Sequence, residues 1–308
     1  MTGPYGPQYS GDYCLTARMR FHQSWWRYER LGLPYDVDTR GHPYGNYLTE
    51  TDAAAGHNFL TEAIHRCATE RIAAGGGVEK FRCTHNLLSS QPMAFNLFGP
   101  LQLDPDLAAL LLDPLLPGGA VQAQVTIEWA PPKALHLNDA TSFDVAVRYA
   151  TRDGQPALAG IETKLTEPFS QRTYGLNDTH TDRYRAVAAA SQVWRNPAAT
   201  ELTDKRWNQI WRNHLLVESI RQHAPGLLGS EIVVHHPLDT RCASTIESYA
   251  QFLTRPTDTF GSFTLDHIVN TWKPLLTSPN QTKWITDFED RYVKLSLSED
   301  AWAKRQRQ

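Results

Sequence analysis

The stretch Ser142–Glu167, SFDVAVRYATRDGQPALAGIETKLTE, decides the fold. Ser142–Tyr149 alternates apolar with polar residues and Ala157–Leu165 runs apolar, each over the short length of a strand. Between them Asp153-Gly154 supplies the chemistry of a tight antiparallel turn, so the two strands form a hairpin. Side chains alternate along a strand. Glu162 and Lys164 therefore share one face of the second strand, while Ile161, Thr163 and Leu165 share the other. Asp144 lies on the first strand, 18 residues before Glu162. Two carboxylates and an ammonium on paired strands are costly to bury unless they serve one another or a ligand. A divalent metal between Asp144 and Glu162 would relieve their repulsion and lower the pKa of a bound water. Lys164 could then orient or deprotonate that water beside a scissile phosphate. The spacing alone is weakly specific, and an exposed, ion-paired hairpin face is the bland reading it has to displace.

Outward from the hairpin, Val121–Trp129 reads as a preceding strand and Glu231–His236 (EIVVHH) as a later buried one. Pro131-Pro132 and Asn138-Asp139 mark the turns. Helices are expected over FHQSWWRYERLG up to Gly32, then through Phe59–Ile72 to a stop at Gly75–Gly77. Further helices are expected at Ser89–Phe98 and at Asp106–Leu116, where Asp104 caps and Pro105 suits the first turn. Helical sequence returns over Thr181–Gln222 with a break near Asn196-Pro197, and mostly helix is expected from the last strand to the basic tail. Helices, three strands, a helix and another strand describe one α/β domain.

Composition fits this. The 308 residues are 41% hydrophobic and 20% charged, a globular balance with ample chain for a core. The longest apolar run, Leu107–Leu112, is too short to span a bilayer, and no charged and apolar leader opens the chain. The four scattered cysteines lack a CxxC pair, which fits a reducing compartment, so a cytoplasmic protein with no membrane association is expected. Net charge is −3, but Arg172–Arg221 carries eight basic residues against five acidic ones, or +3. Any contact with a polyanion is expected there, unless the stretch is simply a solvated helix face.

With Asp144 and Glu162-x-Lys164 on a helix–strand–strand–strand–helix–strand run, the chain resembles the PD-(D/E)xK nuclease superfamily. More narrowly it is similar to a bacterial group in it regarded as restriction endonucleases. The matching phrases are AAAGHNFLTEAI (Ala53–Ile64), NLLSSQPMAFNLFGPL (Asn86–Leu101), EW (Glu128-Trp129), FDVAVRY (Phe143–Tyr149), GIETKLTEPF (Gly160–Phe169) and RNHLL (Arg212–Leu216). The resemblance implies a restriction-endonuclease-like α/β core, a mixed central sheet flanked by helices, with helical N- and C-terminal additions. Residues 1–80 would be the N-terminal extension, 81–240 the nuclease core and 241–308 the C-terminal addition.

The resemblance also implies a DNA endonuclease dependent on Mg²⁺, with Mn²⁺ as substitute, in restriction or defence against foreign DNA. Asp144, Glu162 and the Thr163 carbonyl would hold the metal, with Lys164 beside the attacking water. Phe143 stands where the family pattern has proline. No acid lies between Lys80 and Leu103, so Gln91 or Asn96 would have to serve as the extra residue such families place on the preceding helix. Glu128 is either a third acid or an ion pair at a strand end. Glu167 and Gln171 either bind water on the metal or cap the next element. Gln209 and Arg212 are candidates to reach DNA, since arginine grips phosphate bidentately. A two-fold homodimer would suit cutting both strands. The rival is a non-catalytic DNA-binding or interaction module on the same fold, although such a module has no need of all three residues.

Other signals are set aside. His65 and Cys67, two apart on a helix, point away from each other and could hardly share a zinc ion. Ser89-Ser90 lacks a nucleophile-elbow context, and Gly75–Gly77 lacks the ending of a phosphate-binding loop. Of His235-His236 one alone can face the site, and Trp25-Trp26 reads as packing.

Overall fold

The computed structural model describes residues 3–170 and 178–307. In chain order its first part is helical: α1 (Cys14–Trp25), the small ribbon β1 (Asp36–Val37) and β2 (Pro43–Tyr44), then α2 (Glu50–Ala54), α3 (Glu62–Ala73), α4 (Lys80–His85), α5 (Ser90–Leu103) and α6 (Pro105–Leu112). Three strands follow, β3 (Gln122–Trp129), β4 (Phe143–Ala150) and β5 (Pro156–Lys164). Next come α7 (Asp178–Ser191), α8 (Asn208–His223), β6 (Leu228–His235), α9 (Thr240–Ala250), α10 (Pro256–Thr259) and β7 (Phe260–Thr264). The chain closes with α11 (Leu265–Trp272), α12 (Pro279–Tyr292) and α13 (Glu299–Gln306).

One five-stranded mixed sheet, in the order β3-β4-β5-β6-β7, organises the molecule. The expected hairpin forms: β4 and β5 pair antiparallel from Ala150↔Pro156 to Val145↔Ile161. Gly154 in its turn takes φ +77°, a left-handed conformation that glycine adopts without strain. β6 then joins β5 in parallel, with Glu162 opposite Val233 and Lys164 opposite His235. Both faces of β5 are covered, which is why ALAGI reads as a continuous small apolar run rather than an alternation.

One face carries Val125, Ile127, Val145, Val147, Ile161 and Val234 and packs on α5, whose Met93, Phe95, Leu97 and Phe98 are all buried. A helix apolar on nearly every side belongs inside, and α5 runs through the core of this layer. Its start is fixed by Ser89, whose hydroxyl accepts from the Gln91 N–H at 3.2 Å, and Asp104 caps α6 as expected. The other face carries Ala146, Leu158 and Val233 against Trp211, Leu215 and Val217 of α8.

One strand of the C-terminal part is not among those expected. The chain beyond α9 is not helix alone, because Phe260–Thr264 adds a fifth strand parallel to β6. The two ends of the chain also pack on one another. Arg291, fully buried on α12, donates to the Asn58 carbonyl at 2.8 Å and to Gln23 Oε1 of α1 at 3.1 Å.

His214 on α8 is buried among Trp194, Tyr249 and Phe260, with Nδ1 3.1 Å from the Tyr249 hydroxyl. Burial pushes its pKa down to about 3, so it stays neutral in the fold while an unfolded chain protonates it near 6.5. The unfolded state therefore binds the extra proton, and stability falls as pH drops from about 6.5 toward 3. Against a His214→Phe variant, the native protein should lose roughly 2 kcal/mol more between pH 7 and pH 5. Urea titrations of both proteins at the two pH values check this, and equal losses would refute it.

Candidate active site

The site forms where the β4–β5 ladder ends. The register continued one step past Val145↔Ile161 sets Asp144 against Glu162, and that of β3–β4 sets Glu128 against Asp144. Three carboxyls thus lie in a row across three neighbouring strands, an arrangement that costs stability when all are charged. Glu162 and Lys164 are buried and Asp144 is half-buried. The Lys164 ammonium sits 2.7 Å from Glu162 Oε1. Thr163, whose side chain points away from Glu162, uses its N–H and its hydroxyl on Asp144 Oδ2, both at 2.8 Å. Asp144 Oδ1 accepts no hydrogen bond from the described residues.

Helix α8 supplies two amides that the hairpin alone does not reveal. Gln209 donates to Glu162 Oε1 at 2.7 Å and accepts from Lys164 Nζ at 3.1 Å, so it bridges the pair. One turn on, Asn213 donates to Glu162 Oε2 at 2.8 Å. Their spacing of four puts both on one helix face. Gln209 was a candidate for DNA and instead holds the acid–lysine pair. Asn213 escaped notice, although its spacing from Gln209 was the available signal.

The electrostatics follow from burial and crowding. Burial, then the charges of Glu162 and Glu128, raise the Asp144 pKa well above the usual carboxyl value. Burial pushes Glu128 up to about 7, with Glu162 adding to the shift and the Gln91 hydrogen bond opposing it. Burial works against the Lys164 ammonium, but Glu162 and Asp144 outweigh it and hold its pKa above the ordinary value.

Glu128 takes neither of its expected forms cleanly. It makes no ion pair among the described residues; its side chain accepts from Gln91 Nε2 at 2.9 Å. Its backbone is left-handed at φ 54°, and Arg71 Nε donates to its carbonyl at 3.1 Å. Gln91 is thus brought to Glu128, whereas Asn96 is tied to Leu60, Asn58 and Tyr292 in the core away from the row. Glu167 is a structural cap. It accepts from the N–H groups of Ser90, Leu165 and Thr166 and pairs with Arg82 at 3.1 Å. Gln171 lies outside the described residues.

Arg212 is not free to grip DNA. It is buried, donating to Asn208 Oδ1 at 3.0 Å and Thr141 Oγ1 at 3.1 Å beside the buried Asp139. Arg212→Met should cost about 3–5 kcal/mol by leaving Asp139 without its cation. Urea unfolding measures that loss, and DNA affinity per folded molecule should stay unchanged.

A further acid went unread in EIVVHH. Glu231 is fully buried on the β6 face that carries Val233; among the described residues neither oxygen has a hydrogen bond of good geometry, and Asn213 is the side chain that approaches it. Burial and then Glu162 raise its pKa well above the ordinary value. His235, in register with Lys164, turns its Nδ1 to the His236 carbonyl at 3.1 Å.

Among the described residues, no group of three His, Cys, Asp or Glu side chains is placed to hold a metal ion. Mg²⁺ does not need one, because it is commonly held by one or two carboxylates and keeps several waters. Asp144 Oδ1, unengaged among the described residues, beside a Glu162 whose charge Lys164 only partly offsets, fits that cation.

A mixed α/β sheet thus bears an acid from each strand of a hairpin and a lysine two residues after the second acid. The family model of the PD-(D/E)XK nuclease superfamily matches residues 10–294, nearly the whole chain, and the protein belongs to that superfamily. No characterised protein and no solved structure matches it.

Proposed function

We propose that this chain is a Mg²⁺-dependent DNA endonuclease acting in restriction or defence against foreign DNA. The observation that carries the reading is the meeting of Asp144, held by Thr163 at 2.8 Å, with the Glu162–Lys164 pair at the end of the β4–β5 hairpin. Asp144, Glu162 and the Thr163 carbonyl would hold the cation, which when bound polarises the scissile phosphate and lowers the pKa of water.

The chain's own residues do the rest. Gln209 and Asn213 leave the Glu162 carboxylate little freedom to turn, so its orientation is set before substrate arrives. Thr163 fixes Asp144 in the same way through one oxygen and leaves the other available. In the metal-free site Glu162 and Asp144 hold Lys164 as an ammonium, placed to orient the attacking water or a phosphate oxygen. Its stem lies by Phe169, with the ammonium 5.1 Å from the ring centre, which restricts where the charge can point.

Purified protein incubated with supercoiled plasmid should yield nicked and linear product with Mg²⁺ or Mn²⁺ and none with EDTA. Intact plasmid, single-stranded and base-modified DNA after such incubation would sink the nuclease reading. Binding without cleavage would select the non-catalytic module instead.

A further inference from the structure

We propose that the buried Glu231 is a positioning residue for the carboxylate site: it fixes the amide of Asn213 and, through that amide, the orientation of Glu162. The inference rests on the nuclease reading for its kinetic test alone.

Packing sets the three groups in line. β5 and β6 pair in parallel with Gly160 opposite Glu231 and Glu162 opposite Val233, so Glu231 and Glu162 lie on one face as diagonal neighbours. α8 runs over that face in the opposite direction to β6. At one end Gln209 binds Glu162 and Lys164. Further along, Val217 lies against Gly229, where a Cβ would come within 2.7 Å of Val217 Cγ1. Asn213 is midway, one helical turn from each. Four helical residues rise about 6 Å and two strand residues about 6.6 Å, so the turn from Val217 back to Asn213 matches the step from Gly229 to Glu231. Asn213 is accordingly the side chain that approaches Glu231.

A fully buried carboxyl is costly to keep unless it serves a neighbour. Glu231 makes no ion pair among the described residues. The nearby Tyr249 hydroxyl is already engaged by Trp194 Nε1 and His214 Nδ1, each at 3.1 Å. Asn213 Nδ2 carries two protons. One goes to Glu162 Oε2 at 2.8 Å, and the other is left for Glu231. Set between two carboxyls, the amide keeps its nitrogen toward Glu162, since its oxygen there would put two acceptors face to face. A carboxyl retains an accepting oxygen whether or not it carries a proton, so the arrangement does not depend on the charge of Glu231. With an apolar residue at 231 the amide is free to rotate, and Glu162 Oε2 loses its fixed donor.

Plasmid cleavage kinetics and thermal unfolding over a Mg²⁺ titration test this on the full chain. Glu231→Leu should lower kcat about tenfold with KM for DNA within about twofold, and raise the Mg²⁺ midpoint of thermal stabilisation about threefold. In EDTA it should be no less stable than the native protein, because an apolar side chain replaces an unpaired buried acid. A purely structural role would move stability and leave kcat and the midpoint unchanged. Glu231→Gln keeps an accepting oxygen and should recover most of both losses. Adding Glu231→Leu to Asn213→Ala should cost nothing further, since the first acts through the second. Native kcat and midpoint in Glu231→Leu overturn the inference, and so does a loss of its stability in EDTA. Equal losses in Glu231→Gln, or losses that add to those of Asn213→Ala, overturn it too. If the protein cuts no DNA, the nuclease reading falls by itself and the Mg²⁺ midpoints decide this inference. A protein that neither cuts DNA nor gains stability from Mg²⁺ overturns both.

Discussion

Asp144→Asn will lose cleavage by about 10²–10³-fold and gain stability at the same time. The loss follows from removing the charge at Asp144, whose Oδ1 takes no hydrogen bond from the described residues. The gain follows from the crowding. Asp144 faces Glu162 across the hairpin, with Glu128 on its other side, and its carboxyl is held well above the usual pKa. The asparagine keeps an oxygen for the Thr163 N–H and hydroxyl while removing one negative charge. Near neutral pH this should stabilise the protein by roughly 1–3 kcal/mol.

The sign with pH is fixed. A carboxyl whose folded pKa is raised favours folding below its unfolded value near 3.8, and that contribution is lost as pH rises through the folded value. The variant's advantage should therefore be small at pH 4 and grow as pH rises. Mg²⁺ should reverse the order. Binding to the native protein at 100 times Kd adds about 2.7 kcal/mol, and the variant, lacking a ligand, should gain far less. Thermal unfolding with Mg²⁺ and with EDTA, across pH 4–8, reads all of this without an activity assay. A variant that is less stable than the native protein at every pH would show that Asp144 is a structural ion-pair residue.

The hairpin was legible because local rules set it: alternation, an Asp-Gly turn and short apolar strands agree with one another. The pairing of Asp144 with Glu162 followed from that register. β7 was not legible, because FGSFT is five residues long with glycine and serine inside, and what makes it a strand is the edge of β6 waiting to be paired. Arg212 misled for a related reason. An arginine on an amphipathic helix is ordinarily solvated, and only the tertiary placement of Asp139 and Thr141 draws this one inside. The amides of Gln209 and Asn213 are polar residues of a helix until the sheet packs beneath them. Glu231 could have been suspected, since a carboxylate inside an otherwise apolar strand must answer to something, and it shares a face with Val233, the partner of Glu162.

Gly160→Ala should be destabilising although a strand usually prefers alanine to glycine. Gly160 sits two residues before Glu162, on the same face of β5. A Cβ there would lie 2.4 Å from Phe143 Cε1 and 2.6 Å from Cδ1, far inside contact. The ring cannot swing aside, because Phe143 is fully buried and stacked on Trp129 at 6.1 Å between centroids. Overpacking of this kind costs about 1–3 kcal/mol, which exceeds the 0.4–1 kcal/mol that losing glycine's chain entropy returns. Gly160→Val should cost more. Phe143 occupies the position before Asp144 that proline holds in the family pattern, so the bulky ring and the bare glycine are complementary parts of one local solution. Phe143→Ala alone should cost about 3–5 kcal/mol. Combined with Gly160→Val, whose side chain refills the space, the two changes should cost about 2 kcal/mol less than their sum. Urea denaturation of the four proteins measures the coupling. Additive losses would mean that Phe143 and Gly160 do not share the space, and that the departure from proline has some other cause.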